Sequence, residues 1–187
     1  MKTISILDKK FRLCITRSRV RTSIDQIADR INSDYEKQEI LFIAILNGAF
    51  IFAADLMRKV KPPCRLTFVK MASYEGEARD ENIKELVGLN ENLNGKHIIL
   101  LEDIVDTGFT LDHVMRQIKA NYKPASTAVA TLLFKPQSYH KNITINYAGI
   151  EIPSDFVIGW GLDYKGYGRN FEDIYVIDEN LINHLYY

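Results

Sequence analysis

Several features that assign a protein to a class are scarce or missing in this sequence. It contains two cysteines, Cys14 and Cys64, which are far apart and form no CxxC pattern, so neither a disulfide scaffold nor a zinc cluster is indicated. The longest uninterrupted apolar run, residues 40–46, is too short to cross a bilayer, and the N-terminal segment lacks the apolar core of a signal peptide. We therefore expect a cytoplasmic protein without a membrane partner.

An excess of charge of either sign is also absent. The 187 residues include 24 Lys+Arg and 24 Asp+Glu, and this balance argues against broad, charge-driven binding of nucleic acid. The glycine patterns GxGxxG and GxxxxGK do not occur, which leaves dinucleotide-binding and Walker-type nucleotide sites unsupported. With 47% hydrophobic and 26% charged residues, the composition is that of a soluble globular protein, and the length predicts one domain over residues 1–187.

What the sequence does contain is an alternation of apolar runs with helical patterns. Ser23 opens a capping box, Ser-Ile-Asp-Gln, with apolar residues at one-face spacing behind it, so the first helix is predicted to begin there. Residues 40–46 are predicted to form a strand buried on both faces of a sheet. After an Asn-Gly turn, the next helix is predicted to stop at Pro62-Pro63 and to carry its apolar stripe on Phe50, Ala53, Ala54 and Met57.

Three further apolar runs, residues 65–71, 98–101 and 125–134, extend this alternation. Strands that alternate with helices predict an α/β fold with a mainly parallel twisted sheet flanked by helices, in which ligands bind at the carboxyl ends of strands. Residues 72–85 are half charged and show no sustained apolar period, which predicts a solvated loop or a mobile lid. A third helical stripe precedes the last run and consists of Leu111, Val114, Met115 and Ile118.

The most informative segment is Ile98–Leu111, IILLEDIVDTGFTL. Two adjacent carboxylates, Glu102 and Asp103, are expected where the buried strand ends, and Mg²⁺ suits such a pair because it bridges a few carboxylates to substrate oxygens. The turn Asp106–Thr110 then opens a helix, and Gly108 lets the backbone curl so that successive N–H groups point at one anion. The helix dipole adds to that attraction, so a dianionic phosphate fits here.

Each of these residues also has a purely structural interpretation. Asp106 or Thr110 alone would act as a helix cap, and an acidic pair alone would be a solvated pair of charges. The whole run, in which an acidic pair and a Gly-Thr turn follow an apolar strand, favours function over structure.

The run from Glu102 to Leu111 resembles the signature of the type I phosphoribosyltransferases, enzymes that use phosphoribosyl pyrophosphate. Further segments match the hypoxanthine–guanine branch of that family, in its bacterial form, in order along the chain. They are Leu46-Asn47-Gly48-Ala49, Ser73-Tyr74, Leu-Phe-Lys135-Pro, and residues 152–164 together with Arg169. The resemblance covers about residues 41–177. It implies the type I phosphoribosyltransferase fold, with a mobile lid loop and a small hood formed by the N-terminal segment and roughly residues 136–170.

The resemblance also implies a role for each matching residue. The phosphate and ribose of the donor would be bound by Glu102, Asp103, Asp106, Thr107, Gly108, Phe109 and Thr110. Pyrophosphate would be bound by Leu46, Asn47, Gly48 and Arg169, with a cis peptide between the first two, and Ser73 and Tyr74 would begin the lid. The implied cofactor is Mg²⁺, with Glu102, Asp103 and Asp163 as its ligands.

For the purine, the resemblance implies a site formed by Lys135, Phe156, Val157 and Asp163. Lys135 donates hydrogen bonds without accepting them, so it would select a purine carbonyl over an amino group. Phe156 would stack on the purine, and the backbone of Val157 would meet its pyrimidine edge. Asp106 would be the catalytic residue, accepting a proton from the imidazole side of the purine. Two positions depart from common family patterns: Asn47 replaces a frequent Lys, and Phe109 stands where basic or small residues also occur.

The leading hypothesis is therefore a purine salvage enzyme, a homodimer or homotetramer, whose substrates are phosphoribosyl pyrophosphate and a 6-oxopurine. A regulatory protein of the same fold that senses phosphoribosyl pyrophosphate is the main alternative. Such proteins carry a DNA-binding module or a basic RNA-binding face, and the short N-terminal segment and neutral charge argue against both. A magnesium-dependent phosphatase or phosphotransfer protein would have a different carboxylate spacing and no purine hood.

Overall fold

The computed structural model describes residues 2–72, 84–87 and 90–178. Ser73 and Tyr74, the predicted start of the lid, lie outside the described residues. The elements in chain order are β1 (Thr3–Ile6), β2 (Lys9–Ile15), α1 (Arg17–Asp34), β3 (Ile40–Leu46), α2 (Phe50–Met57), β4 (Cys64–Ala72), β5 (Lys84–Val87), β6 (His97–Val105), α3 (Phe109–Asn121), β7 (Ser126–Phe134), β8 (Tyr147–Glu151), β9 (Val157–Ile158) and β10 (Ile174–Ile177).

The main sheet has the strand order β5-β4-β3-β6-β7-β8. From β4 across to β8, neighbouring strands run parallel, and β5 joins the edge antiparallel to β4. The predicted α/β class with a mainly parallel sheet is thus confirmed. The prediction for residues 40–46 matches β3 at both ends, whereas residues 84 and 85, predicted within a loop or lid, belong to β5. Within the part of the chain described, no helix is both long enough and apolar enough to span a membrane.

Strand β3 is apolar throughout because both of its faces are buried. Successive side chains of a strand point to opposite faces, and here both faces are covered. Phe42 and Ala44 pack in one core cluster with the buried sides of α1 and α2. Ile43 and Ile45 pack in another with α3, whose buried residues are those of the predicted stripe: Leu111, Val114, Met115 and Ile118.

A smaller antiparallel sheet has the order β1-β2-β10-β9, and we call this sheet, together with the β1–β2 turn and the loop that joins β9 to β10, the hood. It combines the N-terminal hairpin with β9 and β10, so it includes residues 174–177 beyond the expected limit of 170. Residues 147–151, expected in the hood, instead form β8 at the edge of the main sheet, because they pair with β7. The hood has its own core, centred on Phe11, Ile158 and Tyr175.

The predicted start of the first helix is wrong. Helix α1 begins at Arg17 with Thr16 as its N-cap, so Ser23 lies inside the helix rather than at its end. Val20 extends the apolar face backwards by one turn, in register with Ile24 and Ile27, and this packing face outweighs the local capping signal. Ser23 is buried, and its hydroxyl has no hydrogen-bond partner among the described residues.

The predicted face and end of the second helix are also wrong. Helix α2 buries Phe52, Ala53 and Leu56, while Phe50 and Ala54 are exposed. Nearly every residue of this short helix is apolar, so the sequence does not define a single face. The helix ends at Met57, before the two prolines that were expected to stop it.

Candidate active site

Glu102 and Asp103, which were expected at the end of a strand, lie within strand β6. Strand β6 continues to Val105, so Glu102 and Asp103 are strand residues, and their side chains point to opposite faces of the sheet. The expectation that both emerge together at the strand end is therefore wrong. The strand extends because Glu102, Ile104 and Val105 pair with residues of β7.

Both carboxylates are buried, with 8% of Glu102 and 9% of Asp103 exposed. Desolvation and, secondarily, the charge of Asp103 raise the pKa of Glu102 well above its ordinary value. Burial also raises the pKa of Asp103 to about 6, although backbone N–H donors and Arg169 act in the opposite direction. Such a site favours partners that supply positive charge or hydrogen-bond donors.

Replacing Glu102 with Gln is expected to stabilise the ligand-free protein. The pKa of Glu102 is higher in the folded protein than in the unfolded chain. At a pH above the unfolded-state pKa, the ionised carboxylate therefore destabilises the fold. This destabilisation disappears as the pH falls below the unfolded-state pKa. We expect Glu102→Gln to raise the free energy of unfolding by about 1–3 kcal/mol at pH 7.5, which is the usual range for a buried polar group without a full set of partners. At pH 5 the increase should be smaller. Urea unfolding at both pH values measures this increase. The control is Glu172→Gln, which changes an exposed glutamate that pairs with Arg17. An equal gain at both pH values would contradict this explanation.

The 106–110 turn joins β6 to α3. Gly108 has a φ of 81° and is the N-cap of α3, whose first helical residue is Phe109. The N-cap is a glycine without a side chain, so neither Asp106 nor Thr110 occupies the capping position considered for it. A small cavity of about 90 Å³ lies over the turn, and it is lined by Glu102 and by residues 104–111, including Asp106, Thr107, Gly108, Phe109 and Thr110. The helix N-terminus faces this cavity, which makes it suitable for an anion.

A large cavity of about 350 Å³ adjoins the small one, and Ile104 and Asp106 line both. Its walls come from four separate parts of the chain: the loop after β3, the end of β6, the residue after β7, and the hood. They consist of Asn47, Gly48, Asp103, Ile104, Asp106, Lys135, Phe156, Val157, Leu162, Asp163 and Arg169. The fold therefore brings together most of the residues that the sequence singled out.

The loop after β3 approaches both the main sheet and the hood closely. The peptide bond between Leu46 and Asn47 is cis, as the family resemblance implied. A Cβ atom on Gly48 would overlap the Asp103 carboxylate, and a Cβ atom on Gly161 would overlap the carbonyl oxygen of Gly48. Glycine is required at both positions, because the backbone at Gly48 contacts the Asp103 carboxylate and also the hood backbone at Gly161.

Lys135 and Asp106 form an ion pair across the floor of the large cavity. Lys135 is 6% exposed, and its Nζ lies 2.7 Å from Oδ2 of Asp106. The backbone N–H of Lys135 donates to the carbonyl oxygen of Val105, which fixes the start of the loop after β7 next to the end of β6. The alternative interpretation of Lys135 as a solvated surface lysine is therefore wrong.

Phe156 forms one wall of the large cavity and remains 44% exposed. Its ring packs edge-on against Tyr164, with 6.0 Å between centroids, and lies 6.5 Å from the ring of Phe11. Val157 follows in β9, the edge strand of the hood, so one side of its backbone points away from β10. This arrangement presents an aromatic face and a strand edge to the same space.

Asp163 and Arg169 also line the large cavity. A nitrogen of the Arg169 guanidinium is 2.7 Å from Oδ1 of Asp163, and the other donates to the carbonyl oxygen of Gly161 at 2.6 Å. Oδ2 of Asp163 accepts from the backbone N–H of Gly166 at 2.6 Å. Both side chains are thus held in place within the hood before any ligand binds.

The donor set fits a magnesium ion that is shared with a substrate. Within the described residues, no three His, Cys, Asp or Glu side chains converge as a metal cage. Mg²⁺ usually takes one or two carboxylates and completes its shell with water and substrate oxygens, which Asp103 and Asp163 on the walls of one cavity would allow. Glu102 lines the other cavity and is oriented to the opposite face of the sheet.

The sequence did not single out every residue of these cavities. Ile104 and Leu162 line the large one, although neither has polar chemistry that would have drawn attention to it. The large cavity does not include Glu102, Thr107, Gly108, Phe109 or Thr110, which line the small one, and Leu46 is not among the lining residues of either. The signal available in the sequence was the position of Ile104 between Asp103 and Asp106.

The fold and these cavities agree with a comparison of the sequence with known families. Residues 17–165 match the family described as "Phosphoribosyl transferase domain". The chain therefore belongs to the phosphoribosyltransferase family, as its resemblance implied.

Its relatives identify the branch. The hypoxanthine-guanine phosphoribosyltransferase of Mycobacterium tuberculosis is 32% identical over 171 residues, which cover 88% of this chain and 84% of that protein. The hypoxanthine phosphoribosyltransferase of Haemophilus influenzae is 33% identical over 160 residues, covering 83% and 89%. A crystal structure of a hypoxanthine-guanine phosphoribosyltransferase from Bacillus anthracis matches with a TM-score of 0.82 at 32% identity, over 89% of this chain and 96% of that one. The hypoxanthine–guanine branch inferred from the motifs is thus confirmed.

Proposed function

We propose that this chain is a purine salvage enzyme that transfers the phosphoribosyl group of phosphoribosyl pyrophosphate to hypoxanthine or guanine. The products are IMP or GMP and pyrophosphate. The observation that carries the proposal is the pair of adjoining cavities, one at a helix N-terminus and the other walled by an aromatic ring, a buried lysine and carboxylates. A phosphorylated sugar and a purine need those two environments side by side.

The small cavity binds the 5′-phosphate of the donor. Successive backbone N–H groups of the 106–110 turn point at the anion, and the hydroxyls of Thr107 and Thr110 add donors. The ribose then spans the boundary between the cavities, with its hydroxyls toward Glu102 and Asp103. These two buried acids gain donors from the sugar and lie near a carbon that becomes cationic in an oxocarbenium-like transition state.

Lys135 and Asp106 orient and deprotonate the purine. A 6-oxo group that enters the large cavity accepts a hydrogen bond from Lys135 and so competes with the ion pair to Asp106. Asp106 is then free to accept the proton from the imidazole side of the ring as the new carbon–nitrogen bond forms. The bond from the sugar carbon to pyrophosphate breaks in the same reaction, and its electron pair leaves with pyrophosphate.

Pyrophosphate is bound between the loop after β3 and the hood. Backbone groups of Asn47 and Gly48 line the cavity, Leu46 precedes them across the cis peptide, and Arg169 supplies a guanidinium from the hood. Asp103 and Asp163 would hold Mg²⁺, which when bound would supply positive charge to the leaving pyrophosphate. The family resemblance assigns Ser73 and Tyr74 to the lid. We expect the protein to assemble as a homodimer or homotetramer.

One assay tests the proposed function. The purified protein is incubated with phosphoribosyl pyrophosphate, magnesium and, in turn, hypoxanthine, guanine, xanthine and adenine, and nucleotide formation is followed by chromatography. We expect IMP and GMP to form and AMP not to, since Lys135 has no acceptor for an amino group. Tight binding of phosphoribosyl pyrophosphate without nucleotide formation from any purine would instead support the regulatory protein of the same fold.

Truncating Phe156 should weaken purine binding more than donor binding. The ring offers a stacking face to a base in the large cavity but does not line the small cavity at the 106–110 turn. We expect Phe156→Ala to raise the KM for hypoxanthine about tenfold, in line with about 1–3 kcal/mol per stacked base. The KM for phosphoribosyl pyrophosphate should stay within about twofold of the original. Leu7→Ala, an exposed apolar residue of the hood outside both cavities, is the control, and equal effects on both substrates would refute stacking.

A further inference from the structure

A lysine to which the sequence gave no role lies directly against the 106–110 turn. Lys141 belongs to the segment after β7, and its Nζ is 4.1 Å from the centroid of the Phe109 ring. The same Nζ is 3.4 Å from Oδ2 of Asp112, in the first turn of α3. The Lys141 side chain is 24% exposed, so its charge is screened less than that of a typical surface lysine.

The stem of this lysine packs on the backbone of the turn. A Cβ atom on Gly108 would lie 3.0 Å from Cγ of Lys141 and 2.5 Å from Cε2 of Tyr139. Tyr139 is itself fixed, because its hydroxyl donates to the carbonyl oxygen of Ile143 at 2.6 Å and its ring packs edge-on against Phe134. The segment after β7 therefore closes over the outer side of the turn and holds the ammonium group at one place.

The charge of Asp112 makes this contact significant. Asp112 donates its backbone N–H to the carbonyl oxygen of Gly108, and its carboxylate is close to the helix N-terminus that faces the small cavity. Desolvation acts to raise the pKa of Asp112, but Arg116 and Lys141 outweigh it and hold that pKa below the ordinary value. An ionised carboxylate there repels a phosphate dianion unless a cation balances it. Arg116 is the closer cation, at 3.0 Å against 3.4 Å, but it is 77% exposed and thus strongly screened, whereas Lys141 is the more buried of the two partners.

We propose that Lys141 is a positioning residue for phosphate binding, acting through Phe109 and Asp112. It holds the 106–110 turn in its anion-binding conformation and balances the Asp112 carboxylate beside the small cavity. The cation sits on the face of the Phe109 ring, where the π-electrons attract it, so an exposed aromatic residue in the turn gains a defined contact. The inference rests on the proposed function in one respect: it takes the 5′-phosphate as the anion.

The test is calorimetric binding of ribose 5-phosphate, which needs neither a purine nor turnover. Lys141→Met keeps the apolar stem and removes the charge, and we expect it to weaken binding about fivefold, the size of one cation–π and one dipole-scale charge contact. Lys141→Arg should stay within about twofold of the original, because a guanidinium also stacks on aromatic faces. Lys119→Met removes the same charge from the exposed last turn of α3 and is the matched control.

Two further measurements separate positioning from a general structural effect. The KM for phosphoribosyl pyrophosphate should rise with the dissociation constant, while kcat and the KM for hypoxanthine stay within about twofold of the original. In the Asp112→Asn background, Lys141→Met should weaken ribose 5-phosphate binding less, since the Asp112 charge that repels the phosphate is gone. Thermal unfolding of each variant verifies that it is folded.

The inference is overturned if folded Lys141→Met binds ribose 5-phosphate like the original protein or like Lys119→Met. It is also overturned if purine and phosphate binding weaken equally, or if Lys141→Arg is as weak as Lys141→Met. Failure of the proposed function has a different signature: the original protein would bind ribose 5-phosphate but form no nucleotide, and the comparison among the lysine variants would still decide the role of Lys141.

Discussion

Removing Mg²⁺ is expected to abolish nucleotide formation, the largest effect on activity that we predict. In the proposed reaction, phosphoribosyl pyrophosphate would bring its negative charge into a cavity whose walls already include the buried Asp103 and also Asp163. Arg169 is the guanidinium on those walls, and it is already paired with Asp163. Without a divalent cation, the developing charge on the leaving pyrophosphate is therefore poorly balanced.

Initial rates measured across a magnesium titration, after treatment with chelator, give the size of this effect. We expect a loss of at least about 10³-fold without metal and full recovery when magnesium is returned, since electrostatic stabilisation of this kind contributes several kcal/mol. Asp163→Asn should move the titration midpoint to a higher magnesium concentration, whereas Asp155→Asn, an exposed acid of the same segment, should not. Undiminished turnover in chelator would contradict the metal assignment.

Asp106→Asn is expected to lower kcat about 10²- to 10³-fold, the usual contribution of a positioned proton acceptor. An amide keeps the size and shape of the carboxylate and can still accept a hydrogen bond from Lys135, but it cannot take a proton from the purine. The effect should therefore fall on kcat, with smaller changes in the KM of either substrate.

The matched control for this variant is Asp25→Asn. Asp25 is also a half-exposed aspartate paired with a lysine, Lys59, but it lies on α1 and lines neither of the two cavities. Steady-state kinetics on both variants, with ribose 5-phosphate binding as a check on the intact small cavity, completes the comparison. Asp106→Asn with the original turnover would rule out proton transfer to this carboxylate.

The sequence predicts an element well when its own residues specify it, and poorly when packing partners from elsewhere in the chain decide its ends. Residues 40–46 are correctly predicted because a strand covered on both faces must be apolar throughout. The stripe on α3 is also correct, since its polar and apolar sides differ clearly. The capping box at Ser23 predicts too late a start for α1, because burial of Val20 against the core overrides a local capping signal.

The residues of the candidate site divide in the same way. The motif from Glu102 to Thr110 was found because its chemistry is local: adjacent acids and a glycine turn lie within a few residues. The contact between Lys135 and Asp106 joins residues 29 positions apart, and the contact of Lys141 with Phe109 crosses a similar gap. Neither contact leaves a signal in spacing, because it depends on β6 and β7 lying side by side.

The sequence by itself determined the parallel α/β architecture, the family, and the types of residue that the chemistry requires, because periodicity and short motifs depend on near neighbours along the chain. Only the tertiary structure decided that Glu102 and Asp103 face opposite sides of one strand, since strand length is set by pairing with β7. It also decided that Gly48 packs against both the Asp103 carboxylate and the backbone at Gly161. Such contacts depend on close packing between the loop after β3, the main sheet and the hood, and no local pattern specifies that packing.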